Sequence, residues 1–174
     1  MQIILNMKKL VFLFCLFLVQ LVTSAQENCL SLEQLQQLYT SDYEQISMFL
    51  TTQGHWSFIY DEPSVDYVLA EDTLEMEMIT WKDVTVDPAM ELNLYYRDSA
   101  SNIMEYMTDQ NCFLSVLSQA MNKTQTAKML AITKRREFKL SGTLSAVFEA
   151  ADSRGMYLIR LYNSVEWRQL VAKE

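Results

Sequence analysis

Glycine and proline are scarce, at three and two in 174 residues. No glycine-rich phosphate loop and no dinucleotide fingerprint can be drawn, because both need several glycines at fixed spacing. No Pro/Gly/Ser-rich stretch marks a linker, and no low-complexity tract interrupts the chain. There is one histidine, His55. Any Ser–His–Asp or Cys–His arrangement would have to use it, and a zinc site is starved of ligands. Cations are missing from one region in particular. Residues 26–122 hold 17 acidic side chains against two basic ones, Lys82 and Arg97, whereas residues 123–174 hold ten basic and five acidic. The overall acidity excludes the basic footprint that nucleic-acid binding requires. The unevenness fits two solvated faces of one domain, or a partner of complementary charge.

The long apolar run that is present lies at the N-terminus. Lys8 and Lys9 precede a stretch from Leu10 to Val19, and Thr23-Ser24-Ala25 supplies small residues. A charged start, an apolar centre and a small-residue site read as a secretory signal over residues 1–25, cleaved after Ala25. The run is short for a bilayer, which takes about 20 apolar residues. The expected mature chain, 26–174, is then exported, periplasmic or secreted, with no transmembrane segment. Its length suits a single domain. Two cysteines, Cys29 and Cys112, survive the cut. An even pair in an exported protein reads as a disulfide, with two buried free thiols as the alternative.

Hydrophobic periodicity orders the rest. Ser31-x-x-Gln34 and Ser41-x-x-Glu44 are capping boxes, predicting helices over 32–39 and 42–53 or one bent helix, with Gly54 as the stop. Alternation then predicts strands at 56–60, 65–70, 74–81, 90–97 and 103–107, with a break at Asp61–Ser64. Phe113, Val116, Leu117, Ala120 and Met121 form a second helical stripe. Ala127–Thr133, Glu137–Leu140, Thr143–Ala150 and Met156–Tyr162 read as extended, and Ser164 as the cap of a terminal helix. The expected fold is α+β, with helices on one face of an antiparallel sheet. It divides into two possible α-then-β units, 26–108 and 109–174, opened by Asn28-Cys29-Leu30 and Asn111-Cys112-Phe113.

The helix–Gly54–Trp56-Ser57-Phe58 opening resembles uncharacterised exported bacterial proteins with an N-terminal helix and an antiparallel sheet. The tandem element order is similar in outline to the β-lactamase-inhibitor-protein fold. That resemblance implies protein binding on the sheet's concave face and transfers no functional residue.

The candidate chemistry is thin. Carboxylates crowd residues 61–91, but no spacing among them matches a calcium loop or a glycosidase pair. Lys134-Arg135-Arg136 reads as a solvated strand edge. Trp81, Tyr95 and Tyr106 stand out as aromatics on predicted strands, and they are the expected binding residues of an exposed sheet face. The expected function is therefore an exported, non-enzymatic interaction protein with a protein or envelope partner, no cofactor and no metal. Two alternatives stand beside it. One is a carrier of an apolar ligand lined by Met48, Met76, Met78 and Phe113. The other is a carboxylate-dependent hydrolase around His55, with Asp61 and Glu62 close in sequence.

Overall fold

The structure is a computed structural model, and it describes residues 28–69, 72–97, 100–123, 127–130 and 135–171. The signal segment 1–25, the stretch 131–133 and Lys134 lie outside the described residues. The chain divides into two compact units, Met1–Leu30 and Ser31–Glu174. Only residues 28–30 of the first are described. Cys29 and Cys112 are both disulfide-bonded, as their number and setting predicted.

Two short helices open the second unit, α1 (Leu32–Tyr39) and α2 (Tyr43–Thr52). The first box forms as expected: the Gln34 amide donates to Ser31 Oγ at 3.2 Å, and the Ser31 amide to Gln34 Oε1 at 2.8 Å. The second forms one residue later. Asp42 rather than Ser41 is the cap, accepting from the Gln45 amide at 2.8 Å. Ser41 Oγ instead donates back to the Gln37 carbonyl at 2.8 Å and closes α1. A carboxylate at a helix N-terminus satisfies an orphan donor and also favours the dipole, so aspartate outcompetes the adjacent serine. Two caps in a row settle the question of one helix or two. Gly54, at φ +79°, then turns the chain out of α2 in a conformation that side-chained residues rarely adopt.

Eight strands follow in one antiparallel sheet: β1 (Trp56–Leu69), β2 (Asp72–Asp83), β3 (Met90–Arg97), β4 (Ala100–Thr108), β5 (Ala127–Leu130), β6 (Arg135–Ser141), β7 (Leu144–Glu149) and β8 (Tyr157–Asn163). Helix α3 (Gln110–Lys123) separates β4 from β5, and α4 (Ser164–Val171) closes the chain. The spatial order is β1-β2-β3-β4-β8-β7-β6-β5. Each half thus supplies a four-stranded meander, and the last strands of the two meanders meet at the centre. The expected break at Asp61–Ser64 is corrected: β1 runs through Pro63, absorbing it with register shifts at Phe58/Tyr60 and Glu62/Val65. Among the described strands β1 is outermost and pairs with β2 alone, so proline's missing amide interrupts no second ladder there.

Register sorts the side chains. Trp81, Leu92, Tyr106, Ile159 and Phe148 are lateral partners across five strands, and Ile79, Leu94, Met104, Leu161, Ala146 and Phe138 across six. These rows lie on the face that α1, α2 and α3 cover, with Leu32, Leu35, Leu38, Ile46, Leu50, Phe113 and Val116 buried from the helix side. Fully burying a large apolar side chain contributes about 1.5–3 kcal/mol, so this layer is the main source of stability. Helices α1 and α3 lie side by side: the Leu32 amide donates to Gln119 Oε1 at 2.9 Å, and Lys123 Nζ to Gln36 Oε1 at 3.3 Å.

The opposite face carries Thr80, Asn93, Glu105 and Arg160 in one row and Met78, Tyr95, Ile103 and Tyr162 in the next. Its cover is the end of the β1–β2 hairpin together with α4, so the fourth helix sits across the sheet from the other three. Tyr67, Leu74 and Met76 of the hairpin cluster with Tyr95, Ile103 and Trp167. The hairpin end curls far enough for the Tyr67 hydroxyl to donate to Glu105 Oε1 on β4 at 2.7 Å.

Candidate functional site

The three aromatics singled out from sequence are all buried, which corrects the expectation of an exposed patch. Trp81 and Tyr106 are fully buried on the helix side, and Tyr95 is buried on the other. Trp81 lies beneath Tyr43 and Phe58, with ring centroids 5.8 and 6.2 Å away. Tyr106 packs on Trp56 and donates its hydroxyl to Met90 Sδ at 3.2 Å. Tyr95 packs at a tilt against Tyr67, with ring centroids 4.4 Å apart, and donates to Glu105 Oε2 at 3.3 Å. Their strands are interior ones with both faces covered, and alternation alone does not reveal the second cover.

The four proposed carrier residues are not gathered either. Met48 is 65% exposed, Met76 and Met78 lie with the hairpin-end cluster, and Phe113 packs on Phe148 and Tyr157 beneath α3. At His55 the neighbouring carboxylate is Asp83, not Asp61 or Glu62: Nδ1 stands 3.7 Å from Asp83 Oδ2. Asp83 is fully buried, and its Oδ1 accepts from the Thr85 amide and hydroxyl. Its Oδ2, His55 Nδ1 and the indole nitrogens of Trp56 and Trp81 are buried without a hydrogen-bond partner. Among the described residues Asp83 is the one carboxylate within ion-pair distance of His55. Among the described residues no group of three or more His, Cys, Asp or Glu side chains could hold a metal ion.

The opposite face holds the most connected polar group. Arg160 Nε and the Nη2 nitrogen both donate to Glu105 Oε1 at 2.8 Å, and Nη1 donates to Glu149 Oε1 at 2.9 Å. The Arg160 guanidinium also lies 5.7 Å from the centre of the Tyr67 ring. Burial disfavours the charged arginine, but Tyr67, Glu105 and Glu149 outweigh it and raise its pKa. Burial and the Glu105 charge push the Tyr67 hydroxyl up as well. Every strong group here has a partner, so the cluster pins the hairpin end to the sheet and offers no open valence to a ligand.

An open cleft lies elsewhere, where the N-terminus of α2 passes over β1, β2 and β3. It has a volume of about 470 Å³. Its floor is Ile46, Ile79 and Leu94, the last two lateral partners in the sheet. Tyr43 and Tyr96 form walls, and Ser41, Asp42 and Asp61 stand at the rim. Asp61 is placed by its pairing with Ile79, and Tyr96 by its pairing with Glu77. Burial first, then the Asp61 charge and a hydrogen bond to Glu77, push the Tyr96 hydroxyl up to about 12. A second hollow of about 230 Å³, with Glu75, Glu77 and Arg97 in its wall, shares Tyr96 with the first. Sequence reading missed this site. Asp61 belonged to the expected break at Asp61–Ser64, and Tyr43 to the predicted helix 42–53, where period does not show that it is 46% exposed. The available signal was the Leu94-x-Tyr96 alternation, which puts Tyr96 on the helix side just beyond the buried row.

No protein-family model, curated protein or solved structure matches the chain. Among the described residues no helix is long and apolar enough to cross a membrane.

Proposed function

We propose that this is an exported, non-enzymatic interaction protein that captures a partner segment in the cleft between α2 and strands β1–β3. The observation that carries the reading is the cleft itself: an apolar floor, two tyrosine walls and a few rim polar groups is the usual make-up of a binding site. Tyr43 and Phe58 extend it outward as neighbouring half-exposed aromatics over Trp81, and such rings make good anchors for a partner. Export is supported by the signal-like start and by the disulfide-bonded cysteines. Two meanders, each preceded by helix, support a reading as two tandem α-then-β units, as the β-lactamase-inhibitor-protein resemblance implied.

The test is selection from a random peptide library on the immobilised mature protein, followed by rebinding to Tyr43→Ala. Peptides from the cleft should lose about tenfold in affinity with that variant, the loss of an aromatic anchor being worth more than 1 kcal/mol. A thermal melt checks that Tyr43→Ala stays folded. Selected peptides that bind the folded variant as well as the parent would overturn the assignment of the cleft.

A further inference from the structure

The cleft has a marked electrostatic bias. Asp42 and Asp61 stand on its rim, and Glu77 lies behind Tyr96. Asp61 is exposed, and among the described residues no cation pairs with it. Among the described residues no lysine or arginine lines the cleft, and Arg97 lines the adjoining hollow. Asp42 commits Oδ1 to the Gln45 amide, which leaves its second oxygen for another donor. The tyrosine rings on either side present the π-faces that attract cations, and the apolar floor accepts a methylene chain. Carboxylates at the mouth, aromatic walls and an apolar bottom are the arrangement that takes an arginine or lysine side chain whole: stem inward, head toward the rim.

Resting on the cleft being the binding site, we infer that its occupant is a basic segment of another protein, with an arginine or lysine side chain seated between Tyr43 and Tyr96 and its charge held by Asp61 and Asp42. The acidic sweep of residues 26–122 then raises the encounter rate with such a partner, and the cleft supplies the register.

The probes are three capped, amidated pentapeptides: Arg-Leu-Arg-Leu-Arg, the same with glutamine for arginine, and the same with glutamate. Titration calorimetry on the mature protein should show binding of the arginine peptide alone. Asp61→Asn should weaken it by about tenfold, and affinity should fall as salt rises. Asp66→Asn removes the same charge from the same hairpin outside the cleft, and should cost less than about twofold. Asp61 is exposed, so a melt matching the parent is expected for its variant. Equal losses from Asp61→Asn and Asp66→Asn would reduce the effect to general acidity and overturn the inference. Binding of the glutamine peptide, lost with Tyr43→Ala, would leave the cleft as the binding site and remove the cationic occupant. No binding by any probe, with library peptides still captured at Tyr43, does the same. Failure of both would remove the site as well. Concentration-dependent self-association in sedimentation, abolished by Asp61→Asn, would give the cleft to the basic half of a second copy instead and overturn the external partner.

Discussion

Arg160 is the residue on which the far face of the sheet turns. It is one-tenth exposed, forked onto Glu105 and tied to Glu149. Sequence placed Arg160 in the alternating last strand, but nothing about its neighbours in the chain foretold a partner on β4. Removing it alone strands a buried Glu105 carboxylate whose remaining donors are two tyrosine hydroxyls. Arg160→Met should therefore cost about 3–5 kcal/mol, and the double variant Arg160→Met/Glu105→Leu should recover most of that loss. Urea denaturation at neutral pH measures both. A double variant as unstable as the single one would mean that the pair contributes attraction beyond offsetting its own desolvation. The three aromatics chosen from sequence belong at this scale too. Aromatic content was legible, but exposure was not, because a ring on a strand looks the same in sequence whether helix, hairpin or water lies above it.

At the scale of the element, most of the fold was readable. Helix positions and most strand positions followed from period and capping residues, since those signals are local. The errors cluster where two short polar residues compete or where the sheet overrides a breaker. Ser41 and Ser164 were the expected caps. Asp42 took the first role, and at α4 Asn163 Oδ1 accepts from the Val165 and Glu166 amides at 3.0 and 3.4 Å. Asp42→Ala should destabilise the protein by about 1 kcal/mol through loss of the cap, and Ser41→Ala by clearly less. Thermal unfolding of the two variants separates them, and a larger loss from Ser41→Ala would return the cap to serine. The cleft itself is an element-scale product. Its apolar residues lay on a predicted helix and predicted strands, but the cleft arises only when the start of α2 is laid over the sheet, a contact between segments far apart in sequence.

For the whole molecule the relevant quantity is how two halves are held as one fold. The helical layer buries one face, the hairpin end and α4 cover the other, and β4 joins β8 through six residue pairs from Ile103↔Tyr162 to Thr108↔Tyr157. A disulfide adds a covalent constraint, lowering the entropy of the unfolded chain. Reduction of the protein should cost about 2–5 kcal/mol, read by urea denaturation with and without a thiol reductant. Cys112→Ser should reproduce the loss without reductant, and equal stability in the two redox states would show that the linkage constrains little. An even pair of cysteines beyond the signal-like start made the linkage legible in advance. The joining of the halves was not, because antiparallel order β4–β8 depends on which of several open strand edges meet.

The course of β1 through Pro63 bears on what happens when many copies are crowded together. A long outer strand ordinarily offers a row of free amides and carbonyls on which a neighbour's strand can grow, the first step toward fibres. Here the row is interrupted. Pro63 has no amide to offer, one register shift between Phe58 and Tyr60 and another spanning Pro63 between Glu62 and Val65 break the strand's regularity, and Asp61, Glu62 and Asp66 are exposed along the same stretch. Any strand approaching that side finds neither a continuous template nor a neutral one, so the sheet ends at β1 instead of propagating from molecule to molecule.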